Sequence, residues 1–101
     1  MPGDFKVLVE WLIEGTRGGR VRAMILLALR ERPSNPHRLA RMLGLNYRTV
    51  THHLEVLSRH GLVRRLTQGY GAPYVLSDLA RARWGEIEES IRRVLGGAGV
   101  E

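Results

Sequence analysis

PHRLARMLGLNYRTVTHHLEVLSRHGLVRRLTQGYGAPYVLS, residues 36–77, decides the fold. The stretch reads as a short helix, a glycine-centred turn, a second helix and a basic hairpin, with no spare residue between them. That order is what a chain needs to lay one helix in a DNA major groove with a hairpin beside it. The second helix sorts its side chains by face. At 3.6 residues per turn, Val50, Leu54 and Leu57 fall on one side. Arg48, His52, Glu55 and Arg59 fall on the other, flanked by Thr49 and Thr51. An apolar back anchors such a helix, while its front carries groups able to reach base edges.

Local signals fix where these elements begin and end. Asn35 suits an N-cap and Pro36 the first helical position. Leu39, Ala40 and Leu43 form the inner face, Gly44 permits a left-handed stop, and Asn46 caps the next helix. Gly61 closes it. Leu62–Gln68 and Tyr74–Ser77 flank Gly69-Tyr70-Gly71-Ala72-Pro73, which predicts a hairpin with a longer turn. Leu62, Val63, Leu66, Val75 and Leu76 are expected inward; Arg64, Arg65 and Gln68 can face out. The arginines and aromatics of this hairpin, Tyr70 included, suit a phosphate backbone or a minor groove. Strand alternation sends Arg64 and Arg65 to opposite faces.

Upstream, residues 4–14 (DFKVLVEWLIE) predict a helix apolar around most of its circumference, which asks for cover on several sides. Gly15-Thr16-Arg17-Gly18-Gly19 is a break; its glycines match no phosphate-binding fingerprint. Residues 20–32 predict a second helix with Val21, Met24, Ile25, Ala28 and Leu29 inward. Downstream, Ser77-Asp78 opens a helix expected over 78–96, in which Trp84, Ile87, Ile91 and Val94 are spaced 3, 4 and 3 apart. That is an a/d seam. It can pair with another subunit or pack on the first helix of its own chain, and the two are compatible. The subunit reading assigns Phe5, Leu8, Leu12, Trp84, Ile87, Ile91 and Val94 to a dimer interface. Residues 97–101 are expected to be a disordered tail.

Composition bounds the function. A chain of 101 residues predicts a single domain, here residues 1–96, with 36–60 as the two-helix motif and 62–77 as the hairpin. Charge is unevenly placed: residues 17–65 hold eleven arginines against two acids, a net +9, and the rest of the chain nets −3. A polyanion is the natural partner of such a middle. Arginine outnumbers lysine fifteen to one, and arginine forks onto phosphates and guanine edges. With no cysteine there are no disulfides, thiolate metal sites or thiol catalysis. No apolar run approaches the ~20 residues of a membrane span, and MPGDFK does not read as a secretion signal. The expectation is a cytoplasmic protein.

The segment LARMLGLNYRTVTHHLEVLSRHGLVRR, followed by a glycine-bearing turn and YVLS, resembles the ArsR-like winged helix-turn-helix regulators, as far as roughly residues 14–77. The resemblance lies in Leu39-Ala40, in Thr49-Val50-Thr51-His52-His53-Leu54, and in Gly61-Leu62-Val63. The region before the motif looks like archaeal members. The resemblance implies a mainly α fold with a small β-hairpin, ordered α-α-α-α-β-β-α, that dimerises through its terminal helices. It implies a homodimeric transcription regulator on a pseudo-palindromic operator, with Asn46, Tyr47, Arg48, Thr49, Thr51 and His52 approaching double-stranded DNA. One departure concerns metals. Metal-sensing members use cysteine-rich or His/acid-rich sites, whereas His53 and His60 lie about 10 Å apart along their helix and lack a tetrahedral set. No metal or other cofactor is expected. The rival functions are a winged-helix protein–protein module and a general chromatin or RNA-binding module. An enzyme is not expected, because no nucleophile–base pair, carboxylate pair or cofactor loop is present.

Overall fold

Asn35 accepts the backbone N–H of Arg38 on its side-chain oxygen at 2.8 Å, and Asn46 accepts that of Thr49 at 3.0 Å. Each satisfies a donor that the first helical turn leaves unpaired. Between the two caps Gly44 takes φ 67°, and its N–H turns back onto the carbonyls of Ala40 and Arg41. These local devices set two short helices at a tight turn. The computed structural model describes residues 4–96, so the tail expected at 97–101 lies outside the described residues.

The elements run α1 (Asp4–Ile13), α2 (Gly19–Glu31), α3 (Pro36–Leu43), α4 (Tyr47–Arg59), β1 (Val63–Arg65), β2 (Tyr74–Leu76), α5 (Asp78–Ala82) and α6 (Trp84–Ile91). A π-helical turn, Arg92–Gly96, follows α6. The two strands are antiparallel, with Val63 opposite Leu76, Arg64 opposite Val75 and Arg65 opposite Tyr74. Ser34 adds a one-residue bridge to Tyr74, exchanging hydrogen bonds of 3.1 and 2.8 Å, and so ties the α2–α3 loop to the hairpin. This is the winged-helix architecture, with the wing formed by β1, β2 and the turn between them. Among the described residues no helix is long and apolar enough to cross a membrane.

Several expectations are corrected. The buried face of α2 carries Arg22, Ala23 and Leu26 besides Ile25, Ala28 and Leu29, while Val21 and Met24 are only half-buried. Leu66 lies beyond the last ladder pair and is exposed, although its N–H still reaches the Pro73 carbonyl at 2.8 Å. The helix expected over 78–96 is interrupted at Arg83, which leaves helical geometry with φ −114° and ψ 29°. There its guanidinium forks onto Glu86, at 2.6 and 3.0 Å, and lies 4.7 Å from the centre of the Phe5 ring.

The residues assigned to an interface of the terminal helices lie against the core of their own protomer. Leu12 and Ile87 are fully buried inside the protomer, and Phe5, Trp84 and Ile91 nearly so. Leu8 and Val94 are partly buried against the same core. The seam packs on α1 of its own chain. The junction is reinforced by polar contacts: Ser90 donates to Glu14 at 2.5 Å, and Arg93 donates to both Glu14 oxygens at 3.0 and 3.1 Å. Those hydrogen bonds, Arg93 first and Ser90 second, hold the Glu14 carboxyl below the usual carboxylate range.

Candidate nucleic-acid interface

Helix α4 keeps the sorting its sequence prescribes. Val50, Leu54 and Leu57 are fully buried, and Arg48, His52, Glu55 and Arg59 are exposed on the other side. Around its first turn Asn46, Arg48, Thr49 and His52 border a shallow hollow of about 360 Å³. The Asn46 side chain is already engaged as the helix cap, and the Thr51 hydroxyl donates to the Arg48 carbonyl at 3.1 Å. Arg48, Thr49 and His52 make no such side-chain hydrogen bond among the described residues and keep donor capacity for a base edge.

The wing meets α4 on a second side. Tyr47, Thr51, Arg65 and Tyr70 line a hollow of about 230 Å³ whose walls also include Pro36, Ala72 and Tyr74. Arg65 braces the turn by donating to the Gly69 carbonyl at 3.0 Å. Arg64 and Gln68, both exposed, do not border this hollow. Of the two wing arginines, both exposed, Arg65 is the one that borders this hollow. Arg59 stands apart from the wing, on the α1–α2 side of α4 with His52 and His60.

His37 was not anticipated from the sequence. Its ring stacks on Tyr47 with centroids 4.3 Å apart and meets Tyr70 edge-on at 5.5 Å. Its Nε2 lies 2.5 Å from the Tyr70 hydroxyl. One imidazole so joins the starts of α3 and α4 to the tip of the wing. It stands in the polar first turn of α3, where apolar periodicity has nothing to register.

The central charge also needs revision, because Arg22 is buried with 5% of its surface exposed. Its Nε donates to the Leu12 carbonyl at 2.9 Å, its Nη1 to His53 Nδ1 at 3.0 Å, and its Nη2 to the Thr16 hydroxyl. Nδ1 can accept that bond only while His53 is neutral. Burial first, then the charges of Arg22 and His52, push the His53 imidazole below its ordinary value. The folded state thus binds fewer protons than the unfolded chain once pH falls below the unfolded histidine value of about 6.5. Stability contributed by this contact is present above that pH and is lost as pH falls toward the lower folded value. Thermal melts between pH 8 and 5 should show a falling midpoint, with a shallower acid slope in His53→Gln. Equal slopes for the two proteins would remove His53 as the cause.

Among the described residues no three His, Asp or Glu side chains are grouped to hold a metal ion. The chain matches the family model described as the N-terminal domain of the methanogenesis regulatory protein FilR1, over residues 12–94. No curated protein sequence matches it. Among solved structures it is similar to reduced HlyU from Vibrio cholerae, at 25% identity and a TM-score of 0.65, covering 94% of each chain. It is also similar to the transcriptional regulator PA3341, at 22% identity and a TM-score of 0.64, covering 97% of this chain and 77% of that one. A third likeness is to AbfR of Staphylococcus epidermidis, at 23% identity and a TM-score of 0.62; it covers 93% of this chain and 64% of AbfR.

Proposed function

We propose that this chain, which belongs to the family of the FilR1 N-terminal domain, is a transcriptional regulator that binds double-stranded DNA in a sequence-specific manner as a homodimer. The observation that carries the reading is the recognition helix itself. Its back is locked in the core by Val50, Leu54 and Leu57, and its front offers Arg48 and His52 beside a wing that adds Arg65 and Tyr70. Phosphate contacts position such a protein and base contacts specify the site. Arg48 is assigned the base contact. Arg59, Arg64, Arg65 and Gln68 are assigned to the backbone, and Tyr70 to the groove beside it. The ArsR-like subtype and the archaeal type belong to the same proposal and rest on the motif residues. No catalysis is included, and a cytoplasmic location follows from DNA as the partner.

For the subunit contact we substitute surface that the terminal elements leave open. Val7 on α1 is 62% exposed, and Leu27, Ile91 and Leu95 border a groove of about 220 Å³ beside the C-terminal turn. This surface lies outside the basic front, and a two-fold contact there would use the same patch on both subunits. The direct test of the reading face is Arg48→Ala on a selected duplex. If Arg48 forks onto a guanine, the variant loses about 1–3 kcal/mol of affinity and relaxes preference at one position per half-site. Unchanged affinity and preference in a normally folded variant would contradict the assignment.

A further inference from the structure

A cleft lies beside the recognition helix, between the α1–α2 turn and α4, and it has a volume of about 580 Å³. That is within the range of small-molecule sites, roughly 300–1,000 Å³. Its walls are of two kinds. Trp11, Val21 and Val56 supply an apolar, partly aromatic surface, and Trp11 is half-exposed. Three arginines, three histidines and Thr16 supply the polar surface, and no acid among the described residues borders the cleft.

Arg22 makes this more than a basic patch. It is buried, its hydrogen bonds go to a carbonyl, an imidazole and a hydroxyl, and among the described residues no carboxylate pairs with it. A buried charge is normally compensated by an opposite one, because desolvation otherwise costs several kcal/mol. Arg17, exposed on the α1–α2 turn, lines the same cleft. An anion there would gain two guanidinium groups, while the carbon body it is attached to would gain the Trp11 face. Inorganic phosphate would satisfy only the first half of the site, and an uncharged aromatic only the second.

We propose that this cleft binds a small planar organic anion, with its carboxylate toward Arg17 and Arg22 and its ring against Trp11. His52 and Arg59 belong both to the cleft and to the front of α4. The ligand therefore sits against the helix assigned to DNA. The binding itself does not depend on the DNA reading and is measured without DNA.

Calorimetric titration of the purified chain at pH 7 would use three probes: benzoate, benzyl alcohol and inorganic phosphate. Benzoate should bind saturably at one site per chain, at least 5-fold more tightly than either of the others. Arg17→Gln and Trp11→Ala change exposed side chains, so both should stay folded, and each should weaken benzoate at least 5-fold. Three results would overturn the proposal: no saturable benzoate binding, benzyl alcohol or phosphate binding as tightly, or unchanged benzoate binding in both variants. Arg22→Gln adds a reading only if its melt stays cooperative, and it should then weaken benzoate more than Arg17→Gln does.

Discussion

Ile87→Ala is expected to unfold the protomer, at a cost of about 2–5 kcal/mol, rather than to separate one subunit from another. Ile87 is fully buried on α6, which packs against α1, with Leu12 and Ile13 of α1 equally enclosed. Truncation removes its transfer free energy and leaves a cavity that helices held by the Glu14–Ser90–Arg93 contacts cannot fully collapse. In a domain this small each kcal/mol moves the melting temperature by roughly 4–8 °C. A loss of about 10 °C or more is therefore expected in thermal melts followed by circular dichroism. The concentration dependence of the melt separates the two readings. A variant that melts like the wild type but sediments as a lighter species would restore the seam to an intersubunit role.

Gly19→Ala is expected to be nearly as damaging, for the opposite reason. A Cβ built on Gly19 would stand 1.9 Å from the Ile13 carbonyl oxygen and 2.6 Å from its carbonyl carbon. Those atoms are backbone, so no side chain can swing aside. Either the α1–α2 turn opens or α2 starts later, and both disturb the packing of Leu12 and Arg22. Overpacking of this kind costs typically about 1–3 kcal/mol, and this contact belongs at the upper end. Gly85→Ala is the control. It lies in α6 with nothing within 4 Å of its Cβ. There the exchange should be neutral or stabilising by up to about 1 kcal/mol, because alanine lowers the entropy of the unfolded chain. Equal melts for the two alanine variants would contradict the close approach at Gly19.

What was legible in the sequence, and what was not, divides by the range of the interactions. Asn35, Pro36, Gly44 and Asn46 act on neighbours within four residues, so the boundaries of α3 and α4 could be read from turn and cap chemistry alone. The two faces of α4 were legible because its apolar and polar residues segregate at the helical period. Arg22 was not, because its burial rests on acceptors at Leu12, Thr16 and His53, and only folding brings these together. The interruption at Arg83 carries neither glycine nor proline; it accompanies contacts with Phe5 and Glu86. The a/d spacing of Trp84, Ile87, Ile91 and Val94 correctly marked a packing seam. Spacing alone does not say whether the other helix belongs to the same chain. His37 joined the candidate site only through Tyr47 and Tyr70, which come from separate elements.

The central claim is that two copies of this chain read DNA through α4 and the wing. Selection of bound duplexes from a random pool, followed by the mass of the complex on the enriched sequence, tests it most directly. Recognition helices related by a two-fold axis reach successive major grooves about 34 Å apart. The account predicts an inverted repeat whose half-site centres are about 10 base pairs apart, or a multiple of that, with two chains per duplex. A pool that shows no enrichment over random DNA, or one unrepeated site carrying a single chain, would contradict it.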